Sequence, residues 1–369
     1  MKNTVTMIGT LPPLKGMSQY IKSLLAPLSE ITPIYFIGFK SLYPNWLYPG
    51  GTLDNSQKTL QTSQVTIRNL LNYYNPLRWL WAGLSVQGKV VHAQWWSYVL
   101  APTYLVVLFV AKYIRRKKII ITVHNVIPHE EGGVKYWLHI SVYFLADHFI
   151  VHTEEMRDQM IALRQSYNKK ISVIPFGLFT VPQTDMTVEE ARTRLKIPPH
   201  VRTVLFFGTI RPYKGLEDLL QAVAELRDDK IDVWLVIAGA AWNSWKQYDK
   251  LINQLRLQHS VIACPNFIPE NEIEIFFKAA DIVVLPYRKF QAQSGAASLA
   301  QFFKKPMVVA DLSGLREFVP GADQTFQPGN VKQLAQRISA VLEKESFIIT
   351  GHNTWEDVAQ RTLAVYKKV

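Results

Sequence analysis

The stretch FFGTIRPYKGLEDLLQAV, residues 206–223, decides how the chain is read. An apolar run stops at Gly208, Arg211 and Lys214 follow three apart, and Gly215 opens a segment of helical periodicity. A strand that turns through glycine into a helix is the repeating unit of doubly wound α/β domains. Gly208 lets the chain turn sharply at the strand's carboxyl end. The helix start offers free backbone N–H groups and the positive end of a dipole. Two cations at that seam suit a diphosphate, with Arg211 as a fork and Lys214 as a point charge. Two solvated loop cations are the plainer alternative.

Outward from this stretch the same unit recurs. Candidate strands upstream are TVTMIG, PIYFIGF, VVHAQWW, IIITVHN, HFIVHT and ISVIPFG; a second series runs RTVLFFG, DVWLVIAG, SVIACPNF, DIVVLPY and PMVVAD. Continuous apolar runs suit parallel strands covered on both faces. The pattern restarts near residue 200, after TVPQTDMTVEEARTRLKIPPH. The reading is an N-terminal Rossmann-like domain over 1–176, a linker over 177–199, a C-terminal Rossmann-like domain over 200–353 and a closing helix over 354–369. The polar linker predicts a hinge.

The bulk numbers fit two folded domains. The 369 residues are 48% hydrophobic and 19% charged, enough for two cores and against extensive disorder. One cysteine, Cys264, excludes an internal disulfide and a zinc site built on cysteines. The net charge of +12 favours anionic partners. No zinc-finger or RNP pattern is present, so nucleic acid is not expected. The N-terminus lacks the apolar core of a signal peptide, which predicts a cytoplasmic protein. The segment WWSYVLAPTYLVVLFVAKYIRRKK, residues 95–118, approaches the length of a membrane span. Pro102 and Lys112 interrupt it, so a buried helix between two parallel strands is favoured over a transmembrane one. A helix lying on lipid, with Arg115 to Lys118 on phosphates, is the third option.

Several segments together resemble retaining glycosyltransferases of the GT-B fold, group 1 or family 4. Residues 206–223 resemble the opening of that family's C-terminal domain. ISVIPFGL resembles its domain-crossing segment, and IPENEIEIFFKAADIVVLPY and KKPMVVADLSGLREFV resemble the segments leading to and following the donor site. In the first half, IGTLPPLKGMSQYIKSL is similar to the family's glycine loop. ITVHNVIPHE is similar to its His-Asn segment as found in exopolysaccharide-type members. TWEDVAQRTLAVYKKV looks like the closing helix that crosses back to the first domain. The resemblance implies two Rossmann-like doubly wound domains facing across a cleft. It implies transfer of a sugar from a nucleoside-diphosphate sugar, GDP- or UDP-linked, to a glycan or polyprenyl-diphosphate-linked acceptor in polysaccharide or glycolipid synthesis. The donor is a co-substrate, no other cofactor is implied, and the absence of an Asp-x-Asp pair fits metal independence. A degenerate nucleotide-sugar-binding or regulatory module, or a nucleotide-sugar epimerase, is the alternative.

The resemblance also assigns residues. Arg211 and Lys214 would contact the donor diphosphate beyond Gly208 and stabilise its growing charge. His124 would face the transferred sugar through its imidazole or backbone; a buried structural histidine is the rival reading. Gly16, Asn125 and His129 would serve the acceptor or phosphate loop, with Lys15 and Glu130 beside them. Tyr287 and Arg288 follow a strand end near the donor, and Glu317 is either a ligand or a capping carboxylate. The family's two glutamates, eight positions apart, fall here on Gln291 and Leu299, neither acidic, with Gln293 the choice if the alignment slips. Ser294, Gly295 and Ala296 would then offer backbone N–H groups to phosphate. Trp46, Trp79, Trp81, Trp95 and Trp96 crowd the first hundred residues. NYYNPLRWLWAGL reads as an aromatic amphipathic helix, suited to a core or to the acidic inner surface of the cytoplasmic membrane.

Overall fold

A computed structural model describes residues 4–14, 17–43, 64–128, 133–242, 244–290, 294–344 and 353–369. The chain divides into two compact units, Met1–Gly177 with Asn353–Val369, and Leu178–His352.

The first unit is built on seven parallel strands: β1 (Val5–Gly9), β2 (Ile34–Ser41), β3 (Val65–Asn72), β4 (Val90–Trp95), β5 (Lys118–Val123), β6 (His148–Val151) and β7 (Ile171–Val173). Their order is β3-β2-β1-β4-β5-β6-β7. The order reverses between β1 and β4, which register Val5 against Val90. Strands such as VTMIG and VVHAQW are buried throughout, as parallel strands covered on both faces must be.

The two faces differ in chemistry. Helices Pro76–Ser85 and Ala101–Phe109 cover one face, where Trp79, Ala82, Tyr104 and Val107 join Val91, Ile119, Ile121 and Phe149 in a single apolar core. Each fully buried side chain of that size contributes about 1.5–3 kcal/mol. Helix Ser18–Ile31 packs against the C-terminal helix Trp355–Lys368. Right-handed crossovers put that pair on the opposite face, over His92 and Gln94. The end helix starts with a reciprocal capping box between Thr354 and Asp357.

The segment over 95–118 is a helix between two parallel strands, Ala101–Phe109 continuing as a π-helical turn, Val110–Ile114. Among the described residues, no helix is long and apolar enough to cross a membrane. The helix expected in NYYNPLRWLWAGL begins later, at Pro76, because Asn72 ends β3 and the Asn75 side chain accepts from the Arg78 N–H.

The second unit holds β8 (Arg202–Phe207), β9 (Val233–Ala238), β10 (Val261–Cys264), β11 (Ile282–Leu285), β12 (Met307–Ala310) and β13 (Thr325–Phe326), ordered β10-β9-β8-β11-β12-β13. Its order reverses between β8 and β11. The stretch read as a linker is folded onto this unit. Helix Val188–Arg194 has a Thr187–Glu190 capping box, and the Thr184 N–H and hydroxyl donate to the buried Glu274 carboxylate at 2.8–3.0 Å.

Candidate active site

Ligands of open parallel sheets sit beyond the strands' carboxyl ends where strand order reverses. In the second unit that place lies beyond β8 and β11, and the stretch 206–223 passes through it. Gly208 has φ +110°, and Gly215, which starts helix Leu216–Asp228, has φ +67°. A Cβ on Gly215 would stand 1.9 Å from the Pro286 carbonyl oxygen just past β11. The glycine therefore permits the two strand ends to meet. The Arg288 N–H donates to the Tyr213 carbonyl at 2.7 Å, and its guanidinium holds the buried Asp218 in a two-point pair at 2.6 and 2.8 Å. Arg288 is thus committed to the scaffold.

Lys214 is different. Its ammonium lies 5.0 Å from the centroid of the buried Tyr287 ring and fills the space beside Gly208, 3.1 Å from where a Cβ would be. No described carboxylate pairs with it. Burial pulls its pKa below lysine's ordinary value, and the like charge of Arg211 acts in the same direction. The Arg211 guanidinium stacks on the Trp242 ring at 3.8 Å. Sequence reasoning missed Trp242, which follows β9 and carries no motif of its own.

The Tyr287 hydroxyl stands 3.5 Å from Ser294 Oγ, and burial pushes its pKa up to about 12. Ser294 caps helix Gly295–Phe302 by accepting from the Ala297 N–H at 3.3 Å. The first-turn N–H groups of Gly295 and Ala296 have no partner among the described residues, as expected of a helix start facing an anion. Leu299 is buried in that helix. Gly208, Lys214, Tyr287 and Ser294 thus form one continuous group, joined through Lys214 and Arg211 to Trp242. Glu317 stands exposed at the end of the short helix Ser313–Arg316 and does not pair with Lys214. Gln291, Gln293, Gly16, Lys15, His129, Glu130 and Trp46 lie outside the described residues.

In the first unit His124 follows β5 and is fully enclosed. Its Nε2 lies 2.9 Å from the Gln94 side chain and its Nδ1 3.2 Å from His152 Nε2. His152 Nδ1 faces the Ile174 carbonyl at 2.9 Å. His92 bridges Tyr366 Oη and Thr122 Oγ1, both at 2.6 Å, and lies 3.2 Å from the Gln94 amide. The Tyr20 ring meets His124 edge-on at 4.7 Å.

The proton positions follow from the partners. The Ile174 carbonyl only accepts, so His152 Nδ1 carries a proton and its Nε2 accepts from His124 Nδ1. Burial holds the imidazoles neutral. It lowers His92 to about 3 and His152 to about 4, and takes His124 well down, with the neighbouring His152 and His92 adding to the shift. A neutral His124 must then accept at Nε2, which requires the Gln94 amide, placed with Oε1 on His124 Nε2 and its nitrogen on His92 Nε2, to be turned over so that the nitrogen donates to His124 and the oxygen faces His92. His92 donates from Nε2 and accepts the Tyr366 hydroxyl proton at Nδ1. Both ring nitrogens of His124 are used within the protein. The expected imidazole contact to a sugar hydroxyl is therefore not available in this arrangement; the backbone carbonyl is the group left to face a ligand. Asn125 is likewise structural: its amide donates to the Trp96 carbonyl at 3.0 Å and its carbonyl accepts from His139 at 2.8 Å. The recurrence of TVHN and IVHT at successive strand ends is the sequence signal that could have revealed this cluster. Among the described residues, no group of three or more His, Cys, Asp or Glu side chains is placed to hold a metal ion.

Comparison with known proteins bears on this geometry. Residues 187–358 match the family model described as Glycosyl transferases group 1. The chain is 31% identical over 180 residues to D-inositol 3-phosphate glycosyltransferase of Corynebacterium diphtheriae, covering 46% of this chain and 41% of that protein. It thus spans about two fifths of the length of such curated relatives. Solved structures match over nearly its whole length. A glycosyltransferase from Rickettsia africae aligns with a TM-score of 0.72 at 17% identity, covering 100% of this chain and 98% of the other. Anabaena HepE in complex with UDP and glucose aligns with a TM-score of 0.71 at 15% identity, covering 99% and 98%. Residues 187–358 therefore resemble a group 1 glycosyl transferase domain, and the two parallel α/β units have the fold of the GT-B glycosyltransferases among the solved structures.

Proposed function

We propose that this protein is a retaining, metal-independent glycosyltransferase that moves a sugar from a nucleoside-diphosphate sugar to a glycan or lipid-linked acceptor at the inner face of a membrane. The observation that carries the reading is Lys214. A shielded ammonium without a described anion stands beside Arg211 where strand order reverses, and the N–H groups of Gly295 and Ala296, without a partner among the described residues, open the neighbouring helix. An anion with several oxygens satisfies all of these groups. When the glycosidic bond breaks, negative charge grows on the leaving diphosphate, so the cations favour the transition state over the ground state. Arg211 supplies a planar fork held by Trp242, and Lys214 a compact charge held by Tyr287. His124 is assigned a positioning role: its side chain is anchored on both sides, which fixes its backbone carbonyl. The HepE complex with UDP and glucose makes UDP-glucose the first donor to test.

The test is a thermal-shift series with UDP, GDP, ADP and their sugar conjugates, with and without magnesium, on the wild type and on Arg211→Ala and Lys214→Ala. A ligand that binds only the folded state raises the melting temperature. The expected result is stabilisation by one nucleotide without metal, lost in both variants. In a transfer assay each variant should lose about 10²–10³-fold in kcat. Stabilisation that persists in both variants refutes the assignment of the two cations; no stabilisation by any nucleotide refutes the reading as a whole.

A further inference from the structure

One face of the first unit is unusual for a protein surface in water. On helix Pro76–Ser85 the residues at 77, 80, 81 and 84 all point outward, an apolar stripe at helical spacing, with Leu77 76% and Trp81 55% exposed. The opposite side of that helix is buried in the core through Trp79, Ala82 and Gly83. Helix Ala101–Phe109 packs directly alongside; a Cβ on Gly83 would stand 2.7 Å from the Val110 side chain. Its continuation exposes a second stripe, with the Phe109 and Tyr113 rings in contact at 4.8 Å. Helix Gly133–Ser141 and the turn Val142–Leu145 lie next to it. They add Trp137, 64% exposed, and Phe144. Three adjacent helices, the first two packed on the sheet and the third on its helical neighbours, thus each leave a large apolar side uncovered.

The charges around the first two stripes have one sign. From residue 55 to residue 129 the sequence contains nine Lys or Arg and no Asp or Glu. The segments 76–85, 101–114 and 133–145 contain no Asp or Glu of their own; Glu130 and Glu131, outside the described residues, precede the third in sequence, and Asp147 after it is paired with Lys112 at 3.0 Å. Arg115, Arg116, Lys117 and Lys118 follow the second stripe without a described carboxylate partner, and Arg78 lies on the first helix. Burial and the adjacent Arg115 together lower the Lys117 pKa, a mark of crowded, unneutralised charge. Two copies of the chain meeting through the first two stripes would set cation against cation, with no free acid among the described residues of those helices to pair. An acidic bilayer satisfies both features: headgroups take the cations, and the acyl boundary takes the Trp, Phe and Leu side chains.

We infer that the three-helix face carrying Leu77, Trp81, Phe109, Trp137 and the 115–118 basic run is the surface by which the protein lies on an acidic phospholipid bilayer. This deepens the lipid-linked-acceptor reading and rests on it only for the acceptor.

The test is co-sedimentation with phosphatidylcholine vesicles and with vesicles enriched in phosphatidylglycerol, at low and high salt. The expected result is salt-sensitive binding to the acidic vesicles alone. Arg115→Gln/Arg116→Gln should weaken it about 25-fold, at about five-fold per charge. Leu77→Gln/Trp81→Gln/Trp137→Gln should weaken it at least as much. Val188→Gln/Phe267→Gln, at exposed apolar positions of the second unit, should leave it unchanged. All substituted side chains are exposed, so folding is retained, and the nucleotide thermal shift of each variant checks this. Equal binding to neutral vesicles, or undiminished binding by the patch variants, overturns the inference. So does a dimer in gel filtration that the apolar triple variant disperses. Nucleotide stabilisation without vesicle binding would sink this inference and leave the transferase reading intact; vesicle binding without nucleotide stabilisation would do the reverse.

Discussion

The neutral histidine cluster makes the first unit acid-labile in a way that can be counted. His92 titrates at about 3 in the folded state against 6.5 for a free imidazole. Between those values the unfolded chain holds a proton that the folded chain does not. The stabilisation is fully present above about pH 6.5 and is lost as pH falls towards the folded value. Each such histidine contributes a slope of about 1.4 kcal/mol per pH unit in that window. His92→Gln keeps a side chain able to hydrogen-bond Tyr366 and Thr122 but removes the titration. The assay is urea unfolding of the first unit at pH 6.5, 6.0, 5.5 and 5.0, a range above the carboxylates. The wild-type slope should exceed that of His92→Gln by about 1.4 kcal/mol per pH unit, one proton's worth. The variant should be less stable at neutral pH yet closer to the wild type at pH 5. Parallel slopes would refute the argument, because they would mean that His92 titrates normally in the fold.

Three further outcomes are expected. Trp242→Ala removes the surface on which Arg211 stacks, so nucleotide affinity should fall by a factor set by about 0.5–2 kcal/mol, read by calorimetry, with melting temperature little changed. Gly215→Ala adds a Cβ against the Pro286 carbonyl at positive φ; it should destabilise the second unit by more than about 1 kcal/mol and weaken nucleotide binding, because the two strand ends must part. Glu274→Ala leaves the Thr184 N–H without its acceptor and Lys278 without its carboxylate; it should cost about 1–3 kcal/mol and raise protease cutting within 178–199.

Much of this was legible beforehand. Eleven candidate strands coincide with strands of the two sheets, because runs such as IIITV and VLFF admit few other placements. Strands β3 and β13 were missed for different reasons. VTIRNLLN lies at a sheet edge with its first five residues exposed or half-buried and lacks a continuous apolar run, while β13 is two residues long. Arg211, Lys214, Tyr287 and Ser294, singled out from strand ends and from the resemblance, are brought together by the structure. The anchoring of His124 was not legible, since its partners come from positions 94 and 152 and the chain from 92 runs on to 366. Hydrogen-bond roles among distant residues leave no periodic trace. The stretch 177–199 read as a linker on composition; its docking is made by Glu274, Asp281 and Ser298, about 90 to 119 residues away.

The discontinuous first unit has a consequence for biosynthesis. Its sheet and helix Ser18–Ile31 are complete when residue 177 has been made, but Trp355 and Tyr366, which close over Gly177, Tyr20 and His92, arrive only after the whole second unit. A growing chain folds its segments as they emerge. During synthesis of some 175 residues, the histidine face would therefore wait open while Leu178–His352 forms a core of its own. Trp355 and Tyr366 thus seal a unit whose sheet was made before the second unit began.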